Sequence, residues 1–184
     1  DLPDETVIIN ATELSDTHVQ MLMNDTTTTP KDTTASAPVN WKIDLHRLKL
    51  KNVSFSMQLP ADSMRMAAHI GDAVIADAQA DLKNQFYDLK HFLVSGASAS
   101  YNTGTAKPAE GFDASHIAVR DIRIVLDSLL YKGRDMNAVI REFSLSERSG
   151  LSIASLTGRA YSNDSIISIP GLKLQTPHSE IYLS

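Results

Sequence analysis

Large apolar residues alternate with polar ones along the stretch 117–131, IAVRDIRIVLDSLLY. They come in pairs spaced two residues apart, which is the spacing of a strand that buries one face. Between pairs the alternation slips by one residue, at Arg120 and Asp121 and again before Leu129. The pattern therefore predicts a strand that bends or bulges at fixed points.

The same spaced pairs recur along the chain, at 7–21, 43–57, 87–101 and 167–181. Short apolar runs separated by turn residues are typical of an all-β fold with mostly antiparallel neighbours. If successive strands bend at corresponding points, the sheet that they form must curl. The sequence thus predicts a mainly β protein, an antiparallel meander curled into an open, β-taco-like trough.

Two segments depart from this pattern. Residues 24–40 are rich in Thr and carry one large apolar side chain, Val39. They can bury too little surface to offset the entropy of ordering, so we expect a mobile Thr-rich loop. Residues 61–82 contain seven Ala and an apolar face at helical spacing, but they also alternate locally. The residues alone leave one short helix within 61–82 as an alternative to strand.

The composition limits the classes of protein to which the chain can belong. The chain has 184 residues, a formal net charge of −5 and no Cys. The lack of Cys excludes disulfides and thiol catalysis, and the scattered Lys and Arg argue against a nucleic-acid partner. The chain begins at Asp1 rather than Met and stops inside an alternating run. We therefore expect 1–184 to be a single β-rich segment of a longer protein.

No catalytic or nucleotide-binding motif occurs in the chain. Six His are scattered, and Asp113 with His116 is the nearest candidate for a metal site. The sequence ERSG at 147–150 is typical of a charged hairpin turn. We therefore expect a protein that is not an enzyme and that uses neither a metal nor a cofactor.

Several short motifs lie in the second half of the chain, and the turn ERSGL at 147–151 is the most specific of them. The others are Asp127-Ser128, Tyr131-x-Gly133 and Leu172-x-Leu174-x-Thr176-Pro177-x-Ser179, preceded by WKIDL at 41–45 and DSMRM at 62–66. With these motifs, the chain resembles the TamB branch of the AsmA-like superfamily, in its Bacteroidetes form.

This resemblance implies a large envelope protein that is anchored in the inner membrane in its full-length form and has a β-rich periplasmic body. It implies an open trough with an apolar interior, and it favours strand over helix at 61–82. Members of the family are implicated in moving phospholipid between membranes and in outer-membrane protein assembly with an Omp85-type barrel. That barrel would be contacted through regions outside this chain. The family has no catalytic residues.

The leading hypothesis is a trough that shelters or conducts phospholipid acyl chains, with about 0.8 kcal/mol gained per methylene removed from water. Two alternatives stay open. A closed, non-catalytic β scaffold that binds other proteins needs the same apolar face as its core. A carbohydrate-active enzyme needs two carboxylates roughly 5–10 Å apart across a cleft. The residues predicted to line the lipid groove are Ile43, Leu45, Leu48, Leu50, Leu89, Val94, Ile122, Ile124, Phe143, Leu145, Ile169 and Leu174.

Overall fold

The computed structural model describes residues 6–23 and 40–183, and most of these residues lie in strands. The segment 24–39, which holds nearly all of the expected loop, lies outside the described residues. A 3-10 turn, Pro60–Asp62, is the sole helical piece of the described chain. The strands are β1 (Thr6–Ile9), β2 (Thr12–Leu22), β3 (Lys42–Leu59), β4 (Met64–Asp81), β5 (Phe86–Asn102), β6 (His116–Lys132), β7 (Asp135–Glu147), β8 (Ser152–Ser162), β9 (Ile167–Ser168), β10 (Leu172–Gln175) and β11 (Glu180–Leu183).

These strands form one sheet, in the order β1-β3-β4-β5-β6-β7-β8-β10-β11, with β2 beside β3 and β9 beside β8. From β3 to β8 each strand pairs antiparallel with the next, which confirms the predicted meander. β1 and β2 pair with β3 in parallel, so the sheet is mixed at this edge. Parallel neighbours need a long connection, and a long stretch of chain separates β2 from β3.

Residues 64–81 of the segment 61–82 form a strand, and apart from the end of the 3-10 turn at 61–62 the alternative of a short helix is wrong. β4 spans Met64–Asp81 and pairs with β3 on one side and with β5 on the other. Its Ala residues favour a helix locally, but a helix would leave backbone groups of both neighbouring strands unpaired. The small side chains also suit the sheet, because Ala73 lies between the larger Leu50 and Val94.

The slips in the alternation are bends of the backbone. Asp16, Asn52, Gly96 and Asp121 have left-handed conformations inside their strands, with φ between 50° and 61°. The register places Asn52 opposite Gly71, and Gly71 opposite Gly96, so the bends of neighbouring strands lie side by side. Asn52 Nδ2 donates a hydrogen bond of 2.6 Å to Asp16 Oδ1, which joins the bend of β3 to the bend of β2. We call this row the first bend.

A second row of irregularities, the second bend, crosses the sheet nearer the other end of the strands. Asp77 in β4 has a φ of 52° and lies opposite His46. The edge strand is interrupted at the same level, between β1 and β2. The register between β6 and β7 shifts between Leu126 and Ser128. The two bends divide the long strands into three short segments, and the sheet curls into an open trough.

The trough does not close into a barrel. In the described part of the chain, β11 pairs only with β10, and β2 pairs only with β3. The nine strands of the main order, spaced about 4.8 Å apart, make the trough about 38 Å long. In β3 the segment 47–51 lies between the bends, so the floor is about 16 Å wide.

Candidate functional site

One face of the sheet, here called the apolar face, presents an unbroken line of apolar side chains. Directly paired residues of neighbouring strands lie on the same face, so the register traces this line across the floor of the trough. It crosses nine strands without meeting a polar residue. We call it the central row, and its members are Leu14, Leu50, Ala73, Val94, Ile124, Phe143, Leu156, Leu174 and Ile181.

The apolar face has no second layer packed on it in the described part of the chain. The strands make their substantial contacts with their neighbours in the sheet. A compact cluster of Ala73, Val94 and Ala97 lies at the centre, where the larger side chains around it shield it. Only four apolar residues of the described chain are buried, so most of the face is accessible to a ligand.

Eleven of the twelve residues predicted to line the groove lie in strands, and five of them belong to the central row. Ile169 differs, because it lies between β9 and β10, is 38% exposed and shares no ladder with the others. The remaining six have apolar partners on a neighbouring strand: Ile43 with Ala80, Leu45 with Ala78, Leu48 with Ile75, Leu89 with Leu129, Ile122 with Ala97, and Leu145 with Ile153.

A second apolar surface lies beyond the first bend, on one wall of the trough, and none of its residues was predicted to line the groove. The alternation in the sequence includes Phe55, Tyr101 and Ile117, so it could have identified them as lining residues. Met66 and Ala68 were obscured by the helical spacing of 61–82. The surface forms a cleft of about 180 Å³, which one Ser also borders. Its lining residues are Phe55, Met66, Ala67, Ala68, Ala99, Ser100, Tyr101, Ile117 and Val119.

The opposite face, here called the polar face, is covered by hydroxyls and charged pairs. Ser54 Oγ and His69 Nδ1 share a hydrogen bond of 3.0 Å. Arg123 Nε lies 2.7 Å from Glu142 Oε2. At the second bend, Arg141 binds Asp127 through two nitrogens, and these hydrogen bonds lower the pKa of the Asp127 carboxyl. The two faces of the sheet therefore differ in polarity, although Val74, Leu93 and Val125 form an apolar ladder on the polar face.

The turn between β7 and β8 is a charged hairpin turn, as predicted. Gly150 has a φ of 98°, a conformation that favours glycine. Glu147 is 7% exposed, and its Oε2 accepts a hydrogen bond of 2.6 Å from the Ser149 N–H. Hydrogen bonds from Ser149, through its side chain and its N–H, lower the pKa of the Glu147 carboxyl. The carboxylate thus closes the turn.

Asp113 and His116 form a pair at one end of the trough. His116 is buried, and its Nδ1 lies 2.9 Å from Asp113 Oδ2. The Asp113 carboxylate also accepts hydrogen bonds from the N–H groups of Ala109 and Ser115. These two backbone bonds are the main reason why the pKa of Asp113 falls from 3.8 to about 2. His116 borders a pocket of about 720 Å³ beside the turn between β3 and β4.

Within residues 6–23 and 40–183, no three His, Asp or Glu side chains are grouped so that they could hold a metal ion. A search of the same residues finds no helix with the length and apolar character needed to span a membrane. Comparison with known proteins finds no matching family model, no matching curated protein and no matching solved structure. The candidate site therefore rests on the geometry of the trough itself.

Proposed function

We propose that this chain shelters or conducts phospholipid acyl chains on its apolar face, as the periplasmic segment of an AsmA-like envelope protein of the TamB type. The central row is the observation that carries the proposal. It carries an apolar side chain on each of nine neighbouring strands, with no polar side chain in the line. Ala73 and Val94 are shielded, so an acyl chain would contact the larger members of the row and the side chains around these two. The wall cleft around Phe55 and Tyr101 extends this surface.

The mechanism is physical rather than catalytic. Each methylene that leaves water for the apolar face gains about 0.8 kcal/mol, so ten methylenes would gain about 8 kcal/mol before the cost of ordering the chain. The strands follow one another about every 4.8 Å along the trough, and each strand of the central row presents an apolar side chain. An acyl chain could slide from one to the next without crossing a polar barrier.

The location and the partner in this proposal rest on the sequence resemblance. The similarity of 116–184 to the TamB branch supports a periplasmic position and a role in outer-membrane protein assembly. Contact with an Omp85-type barrel belongs to the same proposal, through parts of the full-length protein other than 1–184.

Photo-crosslinking at the floor of the trough tests the proposal. A photoactivatable amino acid replaces Leu50 or Ile124, both on the apolar face, and the protein is irradiated in cells. Matched controls carry the same amino acid at Lys51 or Asp72, which are exposed and paired with each other outside the apolar ladders. We expect phospholipid adducts, identified by mass spectrometry, at Leu50 and Ile124 and few at Lys51 and Asp72.

Equal labelling at all four positions, or none at Leu50 and Ile124, would contradict lipid binding in the trough. The competing scaffold hypothesis assumes that the apolar face is a closed core. It is less well supported, because 19 large apolar residues of the described chain are exposed and the sheet stays open. A protein adduct at the floor positions in place of a lipid adduct would favour the scaffold.

A further inference from the structure

Four polar residues lie in a single line on the polar face, across four neighbouring strands, at the rim of the trough beside the turn between β3 and β4. Gln58 pairs with Arg65, Arg65 pairs with Asn102, and Asn102 pairs with His116. All four line the same pocket of about 720 Å³, which the loop residues Gly104, Thr105, Ala106 and Pro108 complete. The pairing of neighbouring strands fixes the register of the sheet and so holds these residues in line.

The groups in this pocket are suited to donate hydrogen bonds to an anion. Arg65 forms no ion pair with any described residue, although eight other pairs do form in the described chain. Gln58 and Asn102 each carry an amide NH₂. Among the lining residues whose side chains the structure describes, none is acidic. The guanidinium of Arg65 is therefore available to a ligand.

His116 is positioned by the residue behind it. The residue is 8% exposed, and its Nδ1 is bound to the Asp113 carboxylate at 2.9 Å. Asp113 is itself held by the Ala109 and Ser115 N–H groups, at 3.0 Å and 2.9 Å. No described group binds the other ring nitrogen, Nε2, and the residue borders the pocket. Nε2 of His116 is therefore left to form a hydrogen bond with a ligand in the pocket.

The pocket also touches the apolar face. Leu59 and Met64 pair with each other and continue the apolar ladder of Met57 and Met66 to the end of the strands. Both line the pocket. A ligand in the pocket can thus place a polar group against Arg65 and His116 while an attached apolar chain lies over the rim.

From this arrangement we propose that the rim pocket binds a phosphoryl group. The donors come from four neighbouring strands and lie side by side along the pocket, so that they can reach several oxygens of one tetrahedral anion. Arg65 supplies the charge-assisted hydrogen bonds, and Nε2 of His116, positioned by Asp113, offers a further hydrogen-bonding group. The source of the phosphoryl group is a phospholipid head group, a step that rests on the proposed function, or a free phosphate.

Calorimetric titration of the whole chain with three ligands tests the proposal. The ligands are inorganic phosphate, a phospholipid with six-carbon acyl chains kept below its micelle concentration, and the matching diacylglycerol without phosphate. Arg65→Gln should weaken binding of the phospholipid about tenfold or more, because it removes a charged hydrogen-bond donor. Arg47→Gln is the matched control and should leave binding unchanged. Arg47 lies on β3 and, like Arg65, is exposed and forms no ion pair within the described chain.

His116→Gln is a second variant, and it should also weaken binding of the phospholipid. Circular dichroism establishes that each variant is folded. Arg65-dependent binding of inorganic phosphate supports a site for the free anion, and Arg65-dependent binding of the phospholipid alone supports a head-group site. If Arg65→Gln has no more effect than Arg47→Gln, or if the diacylglycerol binds as tightly as the phospholipid, the phosphoryl site is wrong.

The two proposals fail separately. Lipid adducts at Leu50 and Ile124 without any effect of Arg65 would leave the lipid trough standing and overturn the rim site. Arg65-dependent phosphate binding without such adducts would do the reverse.

Discussion

At the scale of single residues, the bends depend on side chains that tolerate an unusual backbone. Asp16, Asn52, Asp77 and Asp121 all have φ between 50° and 56° within or beside long strands. Asn and Asp enter this conformation more easily than other residues with a Cβ, because their short polar side chains can bond locally. A β-branched residue at these positions would be strained, and this explains why polar residues interrupt the apolar alternation there.

The Asp113 carboxylate should make the stability of the rim depend on pH. Its pKa is about 2 in the folded chain and 3.8 without the fold, so the unfolded state binds more protons between these values. The stabilisation is complete above about pH 4 and is lost as the pH falls through about 2. Asp113→Asn should remove this pH dependence and lower the melting temperature at neutral pH.

The measurement is the melting temperature of wild type and variant from pH 2 to pH 7. Asp135→Asn, at an exposed residue that opens β7, is the matched control. The difference between wild type and Asp113→Asn should shrink below pH 4, whereas a constant difference over the whole range would contradict the assignment.

At the scale of elements, the trough depends on bends that coincide in neighbouring strands. The first bend runs from Asp16 in β2 to Asp121 in β6 and passes through Gly71, where β4 and β5 approach closely. A Cβ at Gly71 would come within 3.1 Å of the carbonyl oxygens of both Ser95 and Gly96. The glycine is therefore required by the space between strands and not by its own φ.

Gly71→Ala should destabilise the chain by about 1–3 kcal/mol, because backbone atoms of β5 must move to admit the new methyl group. Asp72→Ala, at the next residue and exposed, should change the free energy of unfolding by about 0.5 kcal/mol or less. Urea denaturation of both variants measures the difference. If the two variants unfold at similar urea concentrations, β4 and β5 can move apart at Gly71 without a loss of stability, and the prediction is wrong.

At the scale of the whole molecule, the open sheet leaves two edges as well as an open face. β2 and β11 each have one unpaired side in the described chain, and both carry exposed apolar residues such as Val19, Met21 and Tyr182. An exposed, apolar edge strand is a template for pairing with another chain. The isolated chain should therefore associate as its concentration rises.

Val19→Lys should reduce this association, because a charge on the apolar face of an edge strand opposes pairing with a second sheet. Leu151→Lys is the matched control, since Leu151 is exposed in a turn away from both edges. Analytical ultracentrifugation over a range of concentrations gives the comparison. An equal reduction by both substitutions would point to general solubility and not to the edge.

Much of this architecture follows from local information in the sequence. The alternation of period two identifies the strands and the apolar face, since it depends only on neighbouring residues. The slip at Arg120 and Asp121 locates a bend that the backbone of Asp121 then shows. Eleven of the twelve proposed lining residues fall in strands for the same reason, and whether they contact lipid stays a prediction.

The tertiary structure alone decided which segments pair and in what register. The parallel edge at β1 and β2, the strand at 61–82 and the position of Ile169 outside the ladders depend on partners far away in the chain. The rim pocket is the clearest case, because Gln58, Arg65, Asn102 and His116 have no shared spacing in the sequence. Alternation fixes the face on which a side chain lies, but only long-range backbone hydrogen bonds decide which side chains become neighbours.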